Sequence, residues 1–292
     1  MESPLQLIGA AEWAAAHDIT VPVAGRLTAQ MPETATELLA RGARFAATDA
    51  YLGIPWRALM RHRHWLVGDG FSGQFRLAAA LLRPRRVTFL DDGANAVPFA
   101  DVLTGRRPYR RPGVTERGLT TRVAPLALDH VLGRAIAGHV EIFTAFDLGE
   151  GRRDALADRG IRVRRHRFDW TRASAPPSGL RGRVVLGSAR PADGLMPLGD
   201  YVAWVEGVAR GTSVVYLPHR RETDEQLAAV ARIPGVDVRR TLLPAELVLA
   251  GAVDLDIVTL ASSTVTTIPL VLAGTGSAVR PHGVAAPEGR TR

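Results

Sequence analysis

The chain contains no cysteine and no lysine. The first absence excludes disulfides, thiolate catalysis and cysteine-ligated zinc or iron–sulfur centres, and it fits a cytoplasmic protein. The second excludes Schiff-base chemistry and the lysine of a phosphate-binding P-loop. Aromatic residues make up 6% of the sequence, and no stacking-aromatic or groove-helix motif accompanies the basic residues, which argues against a nucleic-acid partner. No apolar run reaches the roughly 18 residues that a membrane-spanning helix needs. Glu2 is the first charged residue and no basic segment precedes an apolar core, so the sequence reads as neither spanning nor carrying a signal peptide.

What is present fits a globular α/β protein. With 292 residues, 46% of them apolar and 23% charged, the chain can bury a substantial core, and its length favours two domains. All 37 basic residues are arginine, and the net charge is +8. Guanidinium groups pair with carboxylates and phosphates, so an anionic substrate and peripheral contact with an anionic membrane face both remain open.

Apolar runs of strand length alternate with helical patterns. HWLVGD, VTFLDDG and VEIFTAFD are separated by FSGQFRLAAALLR and ANAVPFADVLTG; after Ser178 the strand-like GRVVLGS, SVVYLPH, VDVRRTL and DIVTLASS alternate with DYVAWVEGVAR, TDEQLAAVARI, PAELVLAG and TVTTIPLVLAG. The alternation predicts parallel βα units in two doubly wound, Rossmann-like domains, 1–175 and 176–292. The Pro-, Ser- and Gly-containing segment Trp170 to Gly182 is the expected linker. Gly105 to Arg122 carries six arginines and two prolines and reads as an exposed, solvated basic loop, with an anion-binding lid as the alternative. A last strand is expected at SAVRPHG in a short tail that is otherwise partly disordered. The first domain opens on a helix, SPLQLIGAAEWAAAH, where a doubly wound domain has its central strand. That strand is expected to be missing, either because translation starts upstream of Met1 or because the domain is truncated.

In open α/β sheets ligands bind outside the carboxyl ends of strands, so residues just past an apolar run are where chemistry is sought. Asp91 and Asp92 end one such run. They read either as a turn or helix N-cap, or as a general base beside a carboxylate held by backbone amides on the other side of the pleat. His219, after Pro218, is either structural or a donor to a leaving phosphate. Ser262 and Ser263 cap a helix, a place that also suits a phosphate. Glu246, in the first turn of a helix, suits the macrodipole and could accept from a pair of ribose hydroxyls.

A strand ending in DDG, a strand ending in YLPHRRE, then PAEL and ASST resemble the bacterial sialyltransferases and polysialyltransferases of the GT-B fold. SPLQLIGAAE and VVLGSARPADGLMPLGDY are also similar to that family, and the similarity covers nearly the whole chain. It implies two Rossmann-like domains facing a cleft and an inverting, metal-independent transfer of a sialic or related nonulosonic acid. The donor would be CMP-linked and the acceptor a glycan hydroxyl, with no cofactor beyond the CMP-sugar substrate. By the same resemblance Asp91, favoured over Asp92, is the base and Asp193 the reserve candidate. His219 meets the phosphate, although the family's His-Pro motif is present only in part, since Pro218 precedes the histidine and Arg220 follows it. Ser262 and Ser263 bind the donor phosphate, Glu246 the ribose, and Gly187 lies near the cytosine. Other readings stay open: another GT-B sugar-nucleotide enzyme, such as a CMP-Kdo transferase or a 2-epimerase-like protein, or a basic protein that binds nucleic acid or a membrane surface without catalysis.

Overall fold

A computed structural model describes residues 1–91 and 93–282. Asp92 and the end of the tail lie outside the described residues. The chain divides into two compact units, Met1–Ser174 and Ala175–Arg292. Every strand pairing in both is parallel.

The first unit opens with helix α1 (Pro4–Ala16), strand β1 (Val21–Arg26), α2 (Met31–Ala40), β2 (Phe45–Tyr51) and α3 (Trp56–Arg61). It continues with β3 (His64–Val67), α4 (Gly73–Leu82), β4 (Arg86–Phe89), α5 (Ala96–Leu103), α6 (Leu119–Arg122) and α7 (Ala124–Ile136). It closes with β5 (Val140–Thr144), α8 (Glu150–Ala157), β6 (Ile161–Arg165) and α9 (Asp169–Ala173). β1 and β2 form a two-stranded sheet of their own, and the larger sheet has the order β3-β4-β5-β6.

The few aromatic residues are concentrated where they fix this core. Phe71, Phe75, Phe89 and Phe99 are buried together, with edge-to-face ring pairs at 5.3, 5.4 and 4.6 Å; such a pair adds about 0.5–1.5 kcal/mol beyond the area it buries. Ser72 starts α4 by accepting from Phe75 N–H at 3.4 Å, an N-cap that satisfies one otherwise free amide. α1 is buried along most of its length, Leu7, Ile8, Ala11 and Trp13 included. It also receives α9: Glu12 accepts from both the N–H and the hydroxyl of Thr171 at 2.7 Å. The first residues of the expected linker, Trp170 to Ala173, are therefore the end of a docked helix.

The basic stretch from Gly105 to Arg122 is exposed at most positions, as expected, and is also anchored by several side chains. Tyr109 donates its hydroxyl to Gly70 C=O at 2.5 Å, Arg111 pairs with Asp69, and Glu116 pairs at 2.7 Å with Arg76, whose guanidinium is buried. A charged run pattern shows only that a segment is hydrophilic; buried partners on β3's C-terminal loop and on α4 hold this one.

The second unit runs β7 (Arg183–Leu186), α10 (Leu198–Ala209), β8 (Val214–Leu217), α11 (Asp224–Ala231), β9 (Val236–Val238), α12 (Ala245–Leu249), β10 (Asp256–Leu260), α13 (Thr264–Val271) and β11 (Ala278–His282). Its sheet order is β11-β10-β7-β8-β9. The chain builds outward from β7 to β9, then returns past β7 to place β10 on its other side. That is the doubly wound pattern, and its topological switch point lies between β7 and β10. Val184, Val185, Leu186, Ile257 and Leu260 are buried, as expected for central parallel strands covered on both faces.

Candidate functional site

In the second unit, Gly187, Pro218-His219 and Ser262-Ser263 follow the adjacent strands β7, β8 and β10, around the switch point. Gly187 extends the ladder by donating to Leu217 C=O at 2.8 Å. A side chain here has no room: a Cβ would stand 2.0 Å from Glu222 Oε1, 2.8 Å from the His219 nitrogen and 2.9 Å from Tyr216 OH.

Glu222 organises this strand end. Its Oε1 accepts from His219 N–H at 2.7 Å, and its Oε2 accepts from Tyr216 OH at 2.9 Å. The Tyr216 and Tyr201 hydroxyls are 2.5 Å apart, and Tyr201 OH accepts from Ser188 N–H at 3.0 Å. The network thus runs from the loop after β8 to the loop after β7. Burial pushes the Glu222 carboxyl up to about 7, against hydrogen bonds that oppose the shift. In the sequence Glu222 sits in the charged run HRRETDE and looks solvated there. Its one local signal is its position three residues after a strand-end histidine.

His219 is held as a neutral ring. Burial, reinforced by Arg221 and Arg220, lowers it from 6.5 to about 4, with Asp193 opposing. Its Nδ1 accepts from Arg221 N–H at 3.2 Å, so the neutral ring carries its proton on Nε2 and is a hydrogen-bond donor there. Asp193 is forked by the Arg221 guanidinium, with both bonds at 2.8 Å; both oxygens of this reserve base are occupied.

At β10, Ser262 is exposed and accepts from Thr264 N–H at 3.3 Å, with its Oγ 2.7 Å from Thr264 Oγ1. Ser263 is the N-cap residue of α13 and makes no side-chain cap bond. Arg190 donates to Ala261 C=O at 3.0 Å and ties the β7 loop to this one. Glu246 stands apart from the exposed groups. It is 7% exposed, burial raises its pKa, and its Oε1 accepts from Thr267 Oγ1 at 2.7 Å. The carboxylate that the resemblance gives to a ribose thus helps to hold α12 against α13.

In the first unit, Asp91 follows β4 and is 1% exposed. Thr144 OH donates to its Oδ1; Ala145 N–H donates to Oδ2 at 2.7 Å, and His166 Nε2 lies 3.1 Å from the same oxygen. His166 stacks on Phe143 with ring centroids 4.8 Å apart, and its Nδ1 is buried without a partner among the described residues. The favoured base is therefore the tightly held carboxylate, joined to the ends of β5 and β6. The other member of the pair, Asp92, is outside the described residues. Neither Thr144 nor His166 was found from sequence. His166 follows IRVRR, whose arginines mask a strand, and its contact with Asp91 spans 75 positions, which no local spacing encodes.

No protein-family model matches this chain, and no curated protein matches it. Among the described residues no group of three or more His, Asp or Glu is placed to hold a metal ion, and no helix is long and apolar enough to cross a membrane. What the second unit offers is a set of donors at the switch point of a parallel sheet: the His219 ring, the Ser262 and Ser263 hydroxyls and the start of an eight-residue helix. Those groups suit an anion.

Proposed function

We propose that this protein is a sialyltransferase-like glycosyltransferase of the GT-B type. It moves a sialic or related nonulosonic acid from a CMP-linked donor to an acceptor glycan hydroxyl with inversion. The observation that carries the reading is the clustering of Gly187, His219 and Ser262-Ser263 on three neighbouring strand ends at the switch point. In the reaction the acceptor oxygen forms a bond to the donor's anomeric carbon and loses its proton to a carboxylate. The bond from that carbon to the phosphate oxygen breaks, and CMP departs with the electron pair. Its single phosphate gains charge, which the neutral His219 donor and the serine hydroxyls meet. No step needs a metal bridge. For the acceptor, the Asp91–Asp92 pair supplies the base. Asp91 has both oxygens engaged, so the proton-accepting role passes to Asp92, with Asp91 as the positioning residue.

The test is calorimetric titration of the full-length chain with CMP and UMP, alongside CMP release from CMP-sialic acid. Tighter binding of CMP than UMP, lost in Gly187→Val, is the expected outcome, and Asp92→Asn should abolish transfer while CMP still binds. A chain that ignores CMP, or prefers a UDP-sugar, overturns the reading. Salt-dependent binding to DNA or anionic vesicles without CMP binding would favour a basic surface-binding protein instead.

A further inference from the structure

Two sheet edges in the first unit face one cavity. Among the described residues, β1 is paired only to β2, and β3 only to β4. Between them lies a cavity of about 340 Å³, lined by Val21, Val23 and Ala24 from one strand and His64, Leu66 and Val67 from the other. Strand alternation says which backbone groups look into it. The Arg63 and Val67 carbonyls accept from Arg86 N–H at 3.0 Å and Leu90 N–H at 2.8 Å, on the β4 side. The carbonyl of His64 and both groups of Leu66 therefore point the other way.

The chain's first residue already sits on the β1 edge. The Met1 amino group donates to Ala24 C=O at 2.6 Å, and Arg26 N–H donates to Met1 C=O at 2.7 Å. This is the bond pair by which a residue of a parallel strand brackets its neighbour, here Gly25. The next rung toward the start of β1 is Ala24 N–H and Pro22 C=O, and proline offers no further donor. β1 and β3 run the same way, because α1 spans both. Its last turn brings Trp13 against His64 at 5.3 Å at the start of β3, and Glu2, just before its first turn, bonds to Ser72 just past the end of β3.

We propose that this slot takes one extended apolar segment of about five residues, joined to Met1, that merges the two sheets into a single parallel sheet in the order β2-β1-segment-β3-β4-β5-β6. The occupant is an N-terminal extension of this polypeptide, since Met1 occupies the end of the ladder and its amino group lies along it. An apolar segment fits because a strand covered on both faces reads as a continuous hydrophobic run. The surroundings also disfavour a chain end: burial draws the Met1 ammonium from 8.0 down to about 6, whereas a peptide N–H makes the same bond uncharged.

The test compares three proteins: the chain beginning at Met1, one extended before Met1 by about six valine- and isoleucine-rich residues, and one extended by the same number of Gly and Ser. Amide hydrogen exchange at Ala24 and Leu66 is read by NMR, with melting temperature alongside. The apolar extension should slow both amides by roughly 100-fold or more and raise the melting temperature, and the Gly/Ser extension should do neither. Equal exchange in all three proteins overturns the proposal. So does protection of both amides in the unextended chain, which means the slot is closed; if that protection grows with protein concentration, a second copy fills it.

Discussion

Asp91 accepts three hydrogen bonds in a site with almost no solvent, and a buried carboxylate so held tolerates no change that turns an acceptor into a donor. Asp91→Asn aims an NH2 group at one of those donors. The variant should lose about 1–3 kcal/mol of stability in urea unfolding at unchanged m-value; a loss below about 0.5 kcal/mol would mean that the network does not hold the loop. Glu222 makes a different prediction, through pH. With its carboxyl raised from 4.5 to about 7, the folded state holds more protons than the unfolded one across that window, so this group's contribution to stability falls as pH rises. His219, lowered from 6.5 to about 4, does the opposite: stability rises with pH between those values, and the two slopes partly cancel below 6.5. Glu222→Gln removes only the first. Measured from about pH 5 to about pH 8, its melting temperature relative to the unmodified chain should climb with pH, and a flat difference would place Glu222 in contact with water.

At the scale of elements, strands are plainest in the sequence where an apolar run is uninterrupted, although β9 and β11, which lack such runs, also follow from the alternation as VDVRRTL and SAVRPHG. β4, β5, β7, β8 and β10 announce themselves because both faces are covered, and β3, buried on one face and half-buried on the other, because its run is apolar. β1, β2 and β6 do not, for separate reasons. VPVAGR contains a proline and a glycine; FAATDAY is exposed at most positions; IRVRR alternates apolar residues with arginine on a sheet edge, where only Ile161 is buried. Most of α9 falls inside the expected linker because five residues cannot show a helical period. Its stability comes instead from Glu12, which lies near its first turn and accepts from Trp170 N–H at 3.3 Å and from Thr171. Glu12→Ala leaves those donors buried and unpaired, and should cost about 2–3 kcal/mol in denaturant unfolding. Glu12→Gln, which keeps one acceptor oxygen, should recover part of that loss.

For the whole molecule, what was legible divides by the range of the interaction. Two α/β units with parallel sheets follow from the order of apolar runs, and strand-end reasoning marks His219 and the serine pair, because sheet topology alone gathers the ends of neighbouring strands; Gly187 enters only through the resemblance. The partners that fix the charges of these groups were not legible. Glu222, Thr144 and His166 act through contacts set by three-dimensional packing, and each looks ordinary in its own stretch of sequence. A missing central strand in the first unit is expected from the sequence, but its place as a slot between β1 and β3 is visible only once the order of strands is known. Combined with the missing lysine, it has a practical side. A chain that begins at Met1 has a single primary amine, bonded to Ala24 inside the slot. At neutral pH that amine is largely unprotonated, hence nucleophilic but shielded. An amine-selective acylating reagent then has one target nitrogen in the entire protein, and its rate of attachment, read by intact mass, reports how often the first unit breathes open without any engineered probe.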